Sequence, residues 1–292
     1  MIPEWFFELR LPEFFCAFCI GLLGYLVGTF VPPFCRPFTW GDPSINYPYI
    51  GSTFPVYSLA IMSIIPCLIF AAVCFRDGNS AKARSECVAW VLSLCVGVAL
   101  SMLIVDTIKV YAGRLRPDFL DRLRRAGINA TTPITDYCAV SDKLVRGGRL
   151  SFPSGHTGIS FAAMCPLVMF LVRVFQPFRH SSFPRFLLCI VPLVLSVIVG
   201  LSRTRDYVHN FDDIAVGAGI GLLSSYVAVL LHFRVDSDEF STKAFVEENT
   251  AIIAAQSNSP GSNEVHLTTY LPPGSSTANG ATLRENRSSR SL

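Results

Sequence analysis

The chain has 292 residues, of which 51% are hydrophobic and only 15% are charged, and its mean hydropathy is +0.46. Soluble globular proteins usually carry about 25% charged residues, so this composition excludes an ordinary soluble domain and indicates a polytopic membrane protein. The formal net charge of +3, with no basic run and no nucleic-acid-binding motif, argues against a nucleic-acid partner.

Six apolar segments are long enough to cross a bilayer, which takes about 20 largely apolar residues in a helix. In chain order they cover residues 12–32, 54–75, 87–110, 156–176, 185–202 and 212–233. The first is longer than the apolar region of a typical signal peptide, and no small-residue cleavage site follows it, so we interpret it as a retained helix. We therefore predict an all-α fold, a polytopic six-helix transmembrane bundle that forms one membrane domain over residues 1–235.

The composition changes near residue 236. Residues 255–292 are rich in Ser, Thr, Asn, Gly and Pro and contain few large apolar side chains. Such a sequence does not bury enough apolar surface to form a core. We predict that residues 236–292 are a disordered tail.

Positive charges predict the orientation of the bundle, because Lys and Arg concentrate in short cytosolic loops. The loops after the second and fourth segments carry Arg76, Lys82, Arg84, Arg179 and Arg185. Both loops are expected in the cytosol, and so are both termini and the tail. Loop 111–155 then faces the extracellular or lumenal side. It is basic as well, but long loops follow the charge rule less strictly.

Loop 111–155 and the loop after the first segment carry two further signals. Asn129-Ala130-Thr131 is a glycosylation sequon, which agrees with a non-cytosolic loop. Most of the ten cysteines lie in apolar segments, where they behave as small hydrophobic side chains. Cys35 and Cys138 lie in predicted loops and would pair in an oxidising compartment. The sequence leaves open both this pairing and the glycosylation of Asn129.

Three short polar stretches, 109–117, 153–156 and 202–213, lie at the ends of apolar segments. The first follows segment three, the second opens segment four, and the third lies between segments five and six. Because each span crosses the membrane once, all three stretches are predicted on the same face.

The positively charged side chains in these stretches, and the helix N-terminus in the second, are features that bind phosphate. Lys109, Arg116 and Arg203 supply positive charge, and the planar guanidinium fork matches phosphate oxygens. Ser154 and Gly155 open the fourth segment, where free backbone N–H groups bind anions. Structural alternatives exist for each stretch, since a lysine at the end of a helix can snorkel to the interface and a serine can simply cap a helix.

The histidines suit proton transfer and nucleophilic attack. His156 can donate a proton near neutral pH. His209 and Asp213 are four residues apart, which would place them on one face if that turn is helical, and a carboxylate on one imidazole nitrogen makes the other nucleophilic. A structural His–Asp pair is the alternative, and the adjacent Asp212 competes for the assignment. No zinc-binding or P-loop pattern accompanies them, so no metal and no cofactor are predicted.

At these residues the chain resembles the type-2 phosphatidic acid phosphatases, also called lipid phosphate phosphatases. Their signature reads Lys-x6-Arg-Pro, then Pro-Ser-Gly-His, then Ser-Arg-x5-His-x3-Asp, and the resemblance covers roughly residues 10–235. Every specified position matches: Lys109, Arg116, Pro117, Pro153, Ser154, Gly155, His156, Ser202, Arg203, His209 and Asp213.

The resemblance implies an integral-membrane enzyme of phospholipid metabolism and signalling that dephosphorylates lipids without a metal. Its substrates would be phosphatidate, lysophosphatidate, diacylglycerol pyrophosphate, and sphingoid-base or ceramide phosphates. His209 would attack phosphorus and form a phosphohistidine, oriented by Asp213 rather than Asp212, and His156 would protonate the leaving alcohol. The phosphate would be held by Lys109, Arg116, Ser154, Gly155 and Arg203.

Four alternatives remain open at the level of sequence. Other branches of the same superfamily, such as glucose-6-phosphatases or polyprenyl-diphosphate phosphatases, share the signature, and vanadium haloperoxidases share it without six spans. An inactive relative acting as a scaffold would lose one of the two histidines, and both are present. A channel or transporter would carry ionisable groups within the membrane, for which Asp106 is the main candidate. The sequence does not specify the preferred lipid, the organelle or the oligomeric state.

Overall fold

The computed structural model of the chain describes residues 9–132, 137–138, 140, 142–235 and 240–242. Eight α-helices lie within these ranges, together with a short 3-10 turn at Pro43–Ile45. The helices are α1 Leu11–Phe30, α2 Val56–Cys74, α3 Ala81–Ala112, α4 Phe119–Arg125, α5 Lys143–Gly148, α6 Gly155–Phe175, α7 Phe183–Arg205 and α8 Phe211–His232.

Six helices among the described residues, α1, α2, α3, α6, α7 and α8, are long and apolar enough to cross a membrane. They confirm the predicted all-α six-helix bundle. α3 is longer than predicted, with 32 residues, because Ser80 caps it by accepting a hydrogen bond from Ala83 N. Its first turn is polar, so a prediction based on apolar runs did not include it.

α3 lies at the centre of the bundle and packs against α1, α2, α6 and α8. α6 and α8 also approach each other closely. A Cβ atom on Gly217 would lie 2.6 Å from the Ser154 carbonyl oxygen, and one on Gly221 would clash with the Gly158 carbonyl oxygen. Only glycine fits such an approach of two helix backbones. This contact brings the first turns of α6 and α8 together.

The loop between α3 and α6 and the 3-10 turn before α2 together form a cap with its own apolar core. The buried side chains of this core are Ile45, Phe119, Leu120, Leu123, Ile128 and Val145. Arg122 donates two hydrogen bonds to the buried Asp118 carboxylate, at 2.7 and 2.8 Å. A disulfide joins Cys35 and Cys138, whose Cα atoms are 5.8 Å apart. It ties the cap to the segment that follows α1 and shows a pairing that the sequence left open.

Aromatic and polar contacts close the opposite end of the bundle. The aromatic side chains in contact there are Phe70, Trp90, Phe170 and Phe233. His232 is buried beside them, with its Nδ1 2.9 Å from Ser93 Oγ and its Nε2 3.3 Å from Glu13 Oε2. Because it lies at the far end of α8 from His209, this histidine has a structural role.

After α8 the chain forms two short antiparallel strands, β1 Phe233–Val235 and β2 Phe240–Thr242, in which Phe233 pairs with Thr242. β2 falls inside the range 236–292 that was predicted to be a tail. Residues 243–292 of that prediction lie outside the described residues.

Candidate active site

The three polar stretches meet at one end of the bundle, where α3 ends and α6 and α8 begin. Main-chain hydrogen bonds join them. Ser154 N donates to Asp213 O (2.9 Å), and Ser151 N donates to Arg114 O (3.0 Å). The stretches that the span count predicted on one face therefore lie in direct contact.

His209 lies in the short connection between α7 and α8. The backbone N–H groups of Val208 and His209 both donate to the Arg203 carbonyl, at 3.1 and 3.3 Å, which ends α7 and turns the chain inward. The His209 residue is only 3% exposed, and its Nδ1 lies 3.5 Å from Asp213 Oδ2. That distance is longer than a formed hydrogen bond, but catalytic hydrogen bonds often tighten only when substrate binds.

The structure distinguishes Asp213 from its neighbour Asp212. The Asp213 side chain is fully buried against His209, whereas that of Asp212 is 59% exposed. Asp213 Oδ2 accepts hydrogen bonds from Ser151 Oγ (2.6 Å) and Asn210 N (2.9 Å). These bonds hold the carboxylate beside the imidazole, where it could orient a histidine.

Arg114 completes the support of Asp213, and the sequence did not single it out for this role. Its Nη1 donates to Asp213 Oδ1 at 2.8 Å and also contacts Asp212 Oδ2. Ser151 was missed as well, because a serine in a loop carries no distinctive pattern. Both residues donate hydrogen bonds to Asp213, and among the described residues neither is hydrogen-bonded to His209.

The Lys109 side chain packs against the backbone of Gly155. A Cβ atom on Gly155 would lie 2.6 Å from Lys109 Nζ, so the absence of a side chain at this position lets the ammonium group reach the first turn of α6. Ser154 caps that turn, and its Oγ accepts a hydrogen bond from Thr157 Oγ1 at 3.0 Å. The capping role and the anion-binding role predicted for this turn are therefore compatible.

Arg116 is placed by the cap. Its backbone N–H donates to Gly148 O at 2.8 Å, and its Nη2 lies 3.5 Å from Leu150 O. Burial, followed by the nearby Arg122 charge, lowers the pKa of Arg116 to about 10. The guanidinium therefore stays protonated at neutral pH.

The segment before α2 covers the site, and the sequence analysis did not predict this. Arg203 Nη1 donates to Ser52 Oγ (2.6 Å) and to Asp206 Oδ2 (3.0 Å). Asp206 in turn accepts hydrogen bonds from Thr53 N (2.8 Å) and Thr53 Oγ1 (2.6 Å). Residues 52–54 are uncharged and about 150 residues away from Arg203 in the sequence, so no local pattern reveals the contact.

His156 lies close to the same segment, beside the Phe54 backbone. Its Nε2 is buried with no hydrogen-bond partner among the described residues. Nε2 is left as the atom through which His156 can exchange a proton within the site.

Two cationic side chains also have a buried nitrogen without a hydrogen-bond partner. Arg116 Nε and Arg203 Nε are also buried and lack a hydrogen-bond partner within the described part of the chain. Buried polar atoms are nearly always hydrogen-bonded in native proteins. Together with His156 Nε2, these atoms fit the oxygen atoms of a tetrahedral anion such as phosphate.

The environment of His209 suits nucleophilic attack. Burial, as the largest cause, lowers the pKa of His209 well below its usual value of about 6.5. The imidazole is therefore neutral at physiological pH and has a lone pair available. The described residues contain no group of three His, Cys, Asp or Glu side chains placed to hold a metal ion.

Comparisons with known proteins identify the family of the chain. The family model described as the PAP2 superfamily matches residues 90–236. A PA-phosphatase related-family protein of Dictyostelium discoideum is 30% identical over 255 residues, which are 84% of this chain and 86% of that protein.

Two further relatives carry names that specify a substrate. A probable diacylglycerol pyrophosphate phosphatase of Schizosaccharomyces pombe is 30% identical over 84% of this chain and 90% of its own length. A lipid phosphate phosphatase of Arabidopsis thaliana is 32% identical over 70% of this chain and 71% of its own length. No solved structure matches the chain significantly. The chain belongs to the PAP2 superfamily, within its lipid phosphate phosphatase family.

Proposed function

We propose that this integral-membrane phosphatase hydrolyses phosphatidate and related lipid phosphomonoesters to the dephosphorylated lipid and inorganic phosphate. One observation carries the proposal: Arg116 Nε, Arg203 Nε and His156 Nε2 are buried without partners in the described residues, beside the buried imidazole of His209. This arrangement offers cations, a proton donor and a nucleophile to one tetrahedral dianion. The relatives named for lipid phosphates support a lipid as the alcohol.

In the first step the neutral His209 attacks phosphorus with Nε2. A P–N bond forms as the P–O bond to the lipid breaks, and protonated His156 gives its Nε2 proton to the leaving oxygen. Asp213 holds Nδ1 of His209, so it stabilises the positive charge that the imidazole gains. The products of this step are the free lipid alcohol and a phosphohistidine.

In the second step water attacks the phosphohistidine. The now neutral His156 Nε2 accepts a proton from the water as the new P–O bond forms and the P–N bond breaks. Inorganic phosphate leaves, and both histidines return to their starting protonation states. Through both steps the phosphate oxygens are held by Lys109, Arg116, Ser154, Gly155 and Arg203.

We further propose that the site faces the extracellular or lumenal side and that both termini are cytosolic. The disulfide between Cys35 and Cys138 supports this orientation, since disulfides persist in oxidising compartments and this one lies on the same side as the site. Asn129 is exposed in the same cap and is proposed to be glycosylated. The positively charged loops lie at the other end of the bundle.

Phosphate release from phosphatidate in detergent micelles tests this function. The purified wild-type protein should release phosphate with EDTA present, and vanadate should inhibit the release. His209→Ala should reduce the rate to the uncatalysed background, whereas His180→Ala, which changes an exposed histidine in the loop between α6 and α7, should not. Full turnover by His209→Ala would contradict the mechanism, and an activity that EDTA removes and added metal restores would contradict metal independence.

A further inference from the structure

A cavity of about 190 Å³ adjoins the phosphate-binding cations on the side of α1. Lys109 and Arg116 line one part of it, and Gly28 and Thr29 of α1 line another. Tyr25 also lines the cavity and is 55% exposed. The cavity therefore reaches from the phosphate-binding residues to the surface of the bundle along α1.

The volume limits what the cavity can hold. It suits a small group, such as the few atoms that join a phosphate to its lipid chains. A lipid whose phosphate is held by Lys109 and Arg116 would place these linking atoms in the cavity, while its chains remain in the bilayer.

One carboxylate lines the cavity, that of Asp106 on α3. Asp106 Oδ1 lies 3.5 Å from Lys109 Nζ, and the two side chains are 23% and 14% exposed. A carboxylate has about four acceptor positions. Lys109 is the polar partner recorded for Asp106 within the described residues, so acceptor positions remain for a ligand.

Small residues on α1 give the ligand access to this carboxylate. A Cβ atom on Gly24 would lie 2.8 Å from the Leu103 backbone, so α1 packs tightly on α3. One turn later, a Cβ on Gly28 would lie 3.1 Å from Asp106 Cβ and Cγ. Any larger residue at position 28 would press on Asp106 and fill this part of the cavity.

We propose that this cavity binds the portion of the lipid next to the phosphate ester, and that Asp106 selects lipids with a hydrogen-bond donor, a hydroxyl or an ammonium group, on the carbon beside the ester carbon. The inference rests on the proposed phosphatase function and adds a substrate preference to it. Lysophosphatidate carries such a hydroxyl and a sphingoid-base phosphate carries such an ammonium group. Phosphatidate carries an ester at that carbon, and an ester donates no hydrogen bond. In diacylglycerol pyrophosphate a second phosphate would occupy the cavity, and the carboxylate would repel it.

Two matched lipid pairs test the preference. Lysophosphatidate is compared with its 2-deoxy analogue, and a sphingoid-base phosphate with its deamino analogue, by kcat/KM in the same micelles. The wild-type protein should favour the donor-bearing member of each pair by about tenfold or more, since a hydrogen bond to a charged acceptor contributes an effect of that size. Because each pair differs in one donor, the effect of the hydroxyl group is measured separately from the effect of the ammonium group.

Substitutions of Asp106 test whether its side chain causes the preference. Asp106→Asn should reduce the preference for the ammonium lipid by about tenfold, and Asp106→Glu should retain most of it. Asp212→Asn removes a carboxylate that does not line the cavity and should leave the ratio within each pair unchanged.

Three outcomes would overturn the inference. If Asp106→Asn lowers kcat/KM equally for both members of a pair, Asp106 only positions Lys109. If the wild-type protein turns over both members equally, the cavity does not select a donor, and this result needs no variant to fold. If the wild-type protein turns over phosphatidate but none of the four lipids, the inference fails while the proposed function stands. If it turns over neither phosphatidate nor any of the four, the proposed function itself fails.

Discussion

At the scale of the residue, the carboxylate that serves His209 is defined by its surroundings. Sequence position alone left Asp212 and Asp213 as competitors. The structure buries Asp213 and surrounds it with donors from Ser151, Asn210 and Arg114, while Asp212 points into solvent. The buried carboxylate can hold the imidazole, and the exposed one cannot.

Substitution of the two neighbouring carboxylates should separate their roles. Asp213→Asn is expected to lower kcat by roughly 10³-fold or more, as in other enzymes where a carboxylate orients a catalytic histidine. Asp212→Asn should cost no more than a few-fold. Arg114→Ala should fall between them and affect kcat more than KM, because Arg114 acts through Asp213. Steady-state kinetics with phosphatidate would show this order, and equal losses for Asp212→Asn and Asp213→Asn would contradict it.

The environment of His209 predicts an unusual pH dependence. An ordinary imidazole with a pKa of about 6.5 would be about 90% protonated at pH 5.5, and its nucleophilic rate would fall about tenfold from its value at high pH. Burial lowers the pKa of His209, so it should stay neutral and its reaction should persist at pH 5.5. The measurement is kcat/KM from pH 5 to 8, corrected for the second ionisation of the phosphate monoester, whose pKa is about 6. A loss of activity centred near pH 6.5 would contradict the burial argument.

At the scale of the element, the geometry of the site depends on how closely α6 and α8 approach each other. Gly217 faces the Ser154 carbonyl, whereas a Cβ atom on Gly219, two residues later, would meet no atom within 4 Å. The hydrogen bond from Ser154 N to Asp213 O crosses the same contact. The distance between the anion-binding turn and the His209–Asp213 pair therefore depends on the glycine at position 217.

These two glycines form a matched pair for a stability test. Gly217→Ala should lower the thermal unfolding midpoint in detergent and reduce activity, because the added methyl group meets the Ser154 carbonyl. Gly219→Ala adds the same methyl group in open space, and since Ala is favoured over Gly in helices by up to about 1 kcal/mol, it should leave stability unchanged or raise it. Equal behaviour of the two variants would show that the helix contact does not control the site.

The sequence predicted the elements better than the loops that complete the site. Apolar runs located the six spans, and motif spacing singled out Lys109 and His156 as candidates, because both depend on local pattern. The choice of Asp213 over Asp212 came from the family resemblance. The contacts of Arg203 with residue 52, and of Asp206 with Thr53, join distant parts of the chain. Such contacts follow from packing and leave no period or motif in the sequence. The cavity beside Asp106 was hidden for the same reason.

At the scale of the whole molecule, the proposed orientation in the membrane rests on several signals that agree. The site, the disulfide and the sequon belong to one end of the bundle. Arg76, which follows α2, and Lys82 and Arg84, in the first turn of α3, belong to the other. This arrangement would expose the phosphate of a lipid in the outer or lumenal leaflet to the site, with its chains still in the bilayer.

Glycosylation at two positions would test this orientation in membranes of a eukaryotic host. The wild-type protein should show an endoglycosidase-sensitive shift on a gel, and Asn129→Gln should abolish it. Ala81→Thr completes a sequon that begins at Asn79, in the loop predicted to be cytosolic, and Asn79 should remain unmodified. Sugar on Asn79 but not on Asn129 would reverse the proposed orientation.

The covalent intermediate on His209 is the central claim of the proposed mechanism. The most direct measurement is to mix the purified protein with phosphatidate labelled in its phosphate, stop the reaction in alkali within one turnover, and locate the label by mass spectrometry. The mechanism predicts label on the peptide that contains His209, at up to one phosphate per chain, and none in His209→Ala. Label on another residue, or rapid turnover with no labelled protein at any time, would contradict it.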